Sequence, residues 1–210
     1  MATKLEKILL THPNTYITDG ELDMLLRVNQ NQRHGQVKRA LQKGDLIHVR
    51  RGLYVIADHF SKRAPHPFEL AQKIYWPSYI SQESALSYHG LIPETVYTTT
   101  SVSPFRKKQI ETPFGLFTYL PLPKQNFFID VARVQEDQTI FFMANPWKAL
   151  LDYVFCLKID IDRLTPWLES MRIEKSDLPN ISHKQIEQLE KFYHNERISK
   201  LIKLIKKETK

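Results

Sequence analysis

The chain has 210 residues, 42% hydrophobic and 25% charged, a composition that can bury a core and excludes disorder throughout. Thirty Lys and Arg against 23 Asp and Glu leave a net charge of +7, which favours a polyanionic partner, nucleic acid or an anionic membrane surface. A single cysteine, Cys156, excludes an internal disulfide and any two-cysteine metal site, and points to a reducing, cytoplasmic setting.

Leu5, Ile8 and Leu9 fall at i, i+3 and i+4, predicting a short helix over 3–11 stopped by His12-Pro13. Thr18 with Glu21 matches a capping box for a second helix, in which Leu22, Leu25 and Leu26 repeat the apolar spacing. A polar turn over 28–31 leads to a third helix over 32–43, with Val37, Ala40 and Leu41 inward and Gly44 as a left-handed cap. Its outer face then carries Gln32, Gly35, Gln36, Arg39, Gln42 and Lys43. Gly35 costs about 1 kcal/mol of helix propensity relative to Ala, which a close approach to that face would offset. Two β-rich runs over 45–56, around Arg50-Arg51-Gly52, predict a hairpin.

Three short helices and a hairpin follow the order of a winged helix-turn-helix, whose third helix enters the major groove of double-stranded DNA. Gln32, Gln36 and Arg39 are candidates for reading base edges, because Gln and Arg can make paired hydrogen bonds to adenine and guanine. Lys38, Lys43, Arg50 and Arg51 are candidates for phosphate or minor-groove contact, and Arg33 for either. The same layout could instead be a surface for protein contacts only. Eleven basic and six acidic residues lie in the first 63, nineteen and seventeen in the rest. Pro65 and Pro67 mark the joint, so the expected domains are 1–63, a winged helix-turn-helix, and 64–210.

In the second part, helices are predicted over 67–75 and over 82–89, the latter capped by Ser81 and stopped by Gly90. Strands are expected over 95–102, 114–120 and 139–144 in a mixed sheet. Asn145-Pro146 reads as a capped helix start, followed by a short helix over 163–171 and one long helix from Ser182, boxed by Gln185, to the end. The fold class expected is α+β, a winged helix-turn-helix followed by a mixed α/β domain.

The longest run free of Asp, Glu, Lys and Arg, 112–123, is too short and proline-rich to span a bilayer. Lys4, Glu6 and Lys7 interrupt the start of the chain where a secretory signal needs an apolar run. No phosphate-binding glycine loop, nucleophile elbow or H-E-x-x-H is present, and the eight histidines are scattered. The acid-x-Lys pairing of restriction-like nucleases occurs only at Glu208-Thr209-Lys210. No enzyme activity, cofactor or metal is therefore expected; the alternative is a DNA-targeted nuclease or other enzyme with an unrecognised site in the C-terminal domain. Cys156 reads as packing and His89 as a hydrogen-bonded structural residue.

The string Tyr79-Ile80-Ser81-Gln82-Glu83-Ser84-Ala85-Leu86-Ser87-Tyr88-His89-Gly90-Leu91-Ile92-Pro93 resembles the hallmark segment of AbiEi-type antitoxins, regulators of abortive-infection, type IV toxin–antitoxin operons. Val49-Arg50-Arg51-Gly52-Leu53-Tyr54, Glu111-Thr112-Pro113-Phe114-Gly115 and Ala144-Asn145-Pro146-Trp147-Lys148-Ala149-Leu150-Leu151-Asp152 are similar to further parts of that family, so the resemblance covers roughly residues 22–160. Trp147 departs from it, standing where the family tends to place an acidic residue. The resemblance implies a phage-defence autorepressor that binds inverted repeats in its own promoter and neutralises a nucleotidyltransferase-like toxin, directly or indirectly. It would be a monomer or weak dimer in solution that can cooperate on DNA. Read from the residues alone, 81–91 is a capped helix with a glycine stop that fixes the sheet.

Overall fold

A threonine, then a glutamate three residues on, opens each of the first two helices. In α1 (Lys4–Thr11) the Thr3 hydroxyl accepts from the Glu6 N–H at 3.2 Å while the Glu6 carboxylate accepts from the Thr3 N–H at 2.7 Å. Thr18 and Glu21 repeat both bonds at α2 (Asp19–Leu26). The computed structural model describes residues 2–61, 63–93 and 96–208. Among them it is a mixed α/β protein, 44% helical and 22% strand. Its contacts divide it into two units, Met1–Ile74 with Glu111–Gly115, and Tyr75–Ile110 with Leu116–Lys210.

In the first unit α3 spans Gln30–Lys43, beginning two residues earlier than the spacing predicts. Asn29 is the reason, since its side-chain oxygen accepts from the Gln32 N–H at 2.9 Å and converts half of the expected turn into helix. Gly44 ends α3 at φ 76°, in the left-handed region. The hairpin pairs β2 (Leu46–Arg50) with β3 (Leu53–Ile56), and a short β1 (Tyr16–Thr18) completes an antiparallel sheet ordered β1-β3-β2. At three residues β1 is too short to carry a readable period. Leu5, Leu9, Ile17, Leu22, Leu26, Val37, Ala40, Leu46 and Ile56 share one core. Helix α4 (Pro67–Ile74) closes the unit in sequence, with Leu70, Ala71 and Ile74 buried as expected.

After α4 the chain forms β4 (Tyr79–Ile80), α5 (Gln82–Tyr88), β5 (Thr98–Ser103), β6 (Lys108–Thr112), β7 (Gly115–Pro121), β8 (Val131–Glu136) and β9 (Thr139–Ala144). The strands order as β6-β7-β5-β4-β9-β8, mixing antiparallel β4–β5 and β8–β9 with parallel β4–β9 and β5–β7. β4, β6 and β8 were not expected, and the predicted start of β5 at Thr95 lies outside the described residues. Four helices follow: α6 (Pro146–Leu157), α7 (Leu164–Ser170), α8 (His183–Tyr193) and α9 (Glu196–Glu208). The single long terminal helix is corrected to α8 and α9, because His194 turns left-handed at φ 43° and the Asn195 side chain accepts from the Arg197 N–H at 3.1 Å to start the next helix. The lysine-rich tail is thus helical to Glu208, with Ile198, Leu201, Ile202 and Ile205 buried.

Two expected caps are corrected as well. The Ser81 hydroxyl makes no cap bond at α5 and instead donates to Asp152 Oδ2 at 2.7 Å. The Asn145 amide donates to Asp130 Oδ1 at 2.9 Å and leaves α6 to begin on Pro146. A carboxylate is the stronger acceptor or partner in each case.

Asp152 is the centre of the second unit. It and Lys148, one turn earlier on α6, are both 0% exposed and hydrogen-bonded at 2.5 Å. Oδ1 also accepts from the Tyr193 hydroxyl at 2.5 Å, and Oδ2 from the Tyr79 hydroxyl at 3.0 Å and from Ser81. Four donors fill the lone-pair sites of the carboxylate. The Lys148 ammonium lies 4.2 Å from the Phe192 ring centre and 4.7 Å from that of Tyr193. Burial pulls the lysine below its ordinary range while Asp152 pulls it back, and burial, reinforced by the Asp152 charge, pushes the Tyr79 and Tyr193 phenols well up. One polar cluster thereby ties β4 and the start of α5 to α6 and α8.

Trp76, Trp147 and Trp167, the three tryptophans, all lie in the second unit, so their fluorescence reports its unfolding. Lys148→Met strands the Asp152 carboxylate and is expected to cost about 3–5 kcal/mol in urea titrations. Tyr193→Phe is expected to cost about 1–3 kcal/mol near pH 8. The native state holds the Tyr193 proton to higher pH than the unfolded chain, which releases it near pH 10. Wild-type stability from this phenol is therefore full below pH 10 and falls above it by about 1.4 kcal/mol per pH unit. The gap between wild type and Tyr193→Phe should narrow by that slope from pH 10 to 11; a constant gap would remove the phenol from the network.

Candidate nucleic-acid interface

On α3, Arg33, Val37, Ala40 and Leu41 lie on the inward side, and Gly35 sits roughly 160° round the helix from Val37, at the middle of the outer face. Gln32, Gln36, Arg39 and Lys43 follow one another at i, i+4, i+7 and i+11 along one flank of that glycine. Lys38 lies on the other flank, roughly 160° from Gln36. The eight residues singled out from the sequence therefore do not form one patch: four share a ridge, Lys38 faces away from Gln36, and the rest need separate description.

Gln32, Lys38 and Arg39 are exposed and Gln36 is half-buried, and none of their side chains makes a hydrogen bond or ion pair among the described residues. Lys43, also exposed, reaches Glu6 at 3.3 Å. The Thr3 backbone N–H, and after it Lys43, hold the Glu6 carboxyl below its usual range. Such a surface pair is weak and can yield to a phosphate. Gln36, Arg39 and Lys43 border a groove of about 350 Å³ shared with Thr3, Lys4 and Glu6 at the start of α1.

Arg33 is different. It is bonded to Asp23 of α2, its side chain is 13% exposed, and its Nε is buried without a partner among the described residues. It staples α2 to α3, and it was the helix-end position in the sequence that left this open. At the hairpin, Arg50 and Arg51 are both exposed. Arg50 donates long bonds to Arg51 O at 3.3 Å and Lys73 O at 3.4 Å, and the Arg51 side chain is free among the described residues. Gly52 allows the tight turn: its φ is 75°, and a Cβ there would come 3.4 Å from an Asp19 carboxylate oxygen. The Asp19 N–H donates to Gly52 O at 3.0 Å, fixing the tip against the start of α2.

Residues of the family-like strings fall chiefly in the interior. Ser81, Lys148 and Asp152 belong to the buried cluster, and His89 Nε2–H donates to Ala144 O at 2.9 Å. The sequence signal for this cluster was a Lys and an Asp four apart on an otherwise apolar helix. Cys156 is half-buried, its thiol pushed up by burial. Among the described residues no group of three or more His, Cys, Asp and Glu is arranged to hold a metal ion, and no helix is long and apolar enough to cross a membrane. No protein-family model matches the chain, and no curated protein matches it.

A Cβ at Gly35 would meet nothing within 4 Å. Gly35→Ala is therefore expected to stabilise α3 by about 0.5–1 kcal/mol, read as slower amide hydrogen exchange across Val37 and Ala40.

Proposed function

We propose that the chain is a cytoplasmic DNA-binding autorepressor whose first unit is a winged helix-turn-helix, and that it is the antitoxin of an abortive-infection, type IV operon with no catalytic activity of its own. The observation that carries the DNA half is the ridge of amides and cations beside Gly35 on α3, unpaired except for Lys43, followed by a hairpin with two exposed arginines at its tip. The order helix, strand, helix, helix, hairpin and the β1-β3-β2 pairing support the winged reading. Arg50 is six positions on from Gly44, so the tip lies within about 20 Å of the end of α3, a span that reaches from one groove to its neighbour. The antitoxin half rests on the family resemblance, which implies promoter inverted repeats and a nucleotidyltransferase-like toxin as partners.

Fluorescence anisotropy with the duplex upstream of the gene, against a scrambled duplex, tests the DNA half; equal affinity for both overturns it. Arg39→Ala should lose about 1–3 kcal/mol on the upstream duplex and much less on the scrambled one. Gly35→Ala should weaken DNA binding while stabilising the free protein, because the added methyl stands where the groove would close on the helix. Arg50→Ala with Arg51→Ala should flatten the slope of log K against log salt by about 1.8, since each phosphate contact contributes about 0.9. An unchanged slope takes the hairpin out of the interface. Co-expression with a neighbouring nucleotidyltransferase-like gene tests the antitoxin half separately: growth is restored if it holds, and stays arrested if it fails.

A further inference from the structure

Asp152 shows how buried carboxylate oxygens are satisfied, and one oxygen of the half-buried Glu83 is not. Glu83 sits in the first turn of α5, and its Oε2 is buried with no hydrogen-bond partner among the described residues. A buried acceptor left unpaired costs about 1–3 kcal/mol, and more when it is charged. The carboxylate borders a groove of about 500 Å³ within the second unit, together with Ile92, Tyr97, Thr98, Tyr153 and Met171. That volume is ordinary for a small-ligand site. Glu83 is the one charged residue among the described residues that line the groove. Burial, and after it the Glu83 charge, pushes the Tyr153 phenol up, which marks the groove wall as poorly solvated.

We propose that this groove binds an organic cation, an ammonium or guanidinium head on an apolar stem. The head donates to Glu83 Oε2 beside the faces of Tyr97 and Tyr153, where the ring quadrupoles favour positive charge. The stem lies on Ile92 and Met171. A free amine and an Arg or Lys side chain of a partner protein present the same chemistry. The inference is independent of DNA binding by the first unit.

Calorimetric titration of the full chain with agmatine, with the peptide acetyl-Gly-Arg-Gly-amide and with uncharged butylurea tests it. Agmatine and the peptide should saturate one site, and butylurea should bind at least about tenfold more weakly. Agmatine binding as tightly as the peptide identifies a free amine as the ligand, whereas a peptide at least tenfold tighter identifies a protein side chain. Glu83→Gln should lose about tenfold or more. Tyr97→Lys, at a residue 90% exposed and so harmless to folding, sets a like charge at the rim and should lose as much. If Glu83→Gln does not fold, Tyr97→Lys decides. Absence of saturation by either cation up to about 10 mM, or wild-type affinity in both variants, overturns the proposal.

Discussion

A lysine ammonium and an aspartate carboxylate, each wholly out of water, can coexist only if nearly every donor and acceptor finds a partner, because removing each ion from solvent costs several kcal/mol. Lys148 and Asp152 meet that condition through residues far apart in sequence: Tyr79 and Ser81 on one side, Tyr193 on the other. None of these partners is interchangeable with a merely apolar residue, since losing one leaves a buried charge short of a hydrogen bond. The cluster therefore acts as a register pin. It fixes how β4 enters α5, how α6 lies against that entry, and where α8 must dock, in a way that apolar contacts, which tolerate sliding, do not.

Charge is used oppositely in the first unit. Its main core cluster is a packing of Leu, Ile, Val and Ala with Tyr54, and most of its cations are left at the surface. Arg33 and Arg63 depart from this: Arg63 pairs with Glu69, and Arg33, held by Asp23, belongs to the framework that links α2 to α3. Removing it from the set of candidate contacts leaves Gln32, Gln36, Arg39 and Lys43 as a single ridge. A ridge spaced at one residue per turn can follow a groove, whereas the same side chains scattered round the helix could not.

Local signals were read well where a side chain and its partner are near in sequence. The Thr3–Glu6, Thr18–Glu21 and Ser182–Gln185 boxes, the Gly44 cap and the hairpin at Gly52 all depend on neighbours within a few residues. Ser81 and Asn145 misled because they have the right chemistry for caps but meet distant or unforeseen carboxylates, Asp152 and Asp130, which outbid a backbone N–H. Short strands such as β1 and β4 depend on what lies beside them, not on their own alternation. Of the candidate interface, the residue types were legible in the sequence; that Arg33 turns inward and Lys38 lies across from Gln36 required the helix phase and the Asp23 partner.

Two of the strings that resemble a known family, 79–93 and 144–152, carry Tyr79, Ser81, Lys148 and Asp152 of the buried cluster, and this has a physical corollary. Residues that must satisfy an interior charge are constrained by the framework, so they specify how the second unit is built and not what its surface touches. Function has to be argued from groups whose presence the framework does not require. Gly35 is such a group: it weakens α3, its missing methyl would touch nothing in the protein, and its backbone φ needs no glycine. No internal contact offsets its cost. On the proposed reading, the duplex is the surface that would come closer to the helix than a methyl permits, at the middle of the face flanked by Gln32, Arg39 and Lys38.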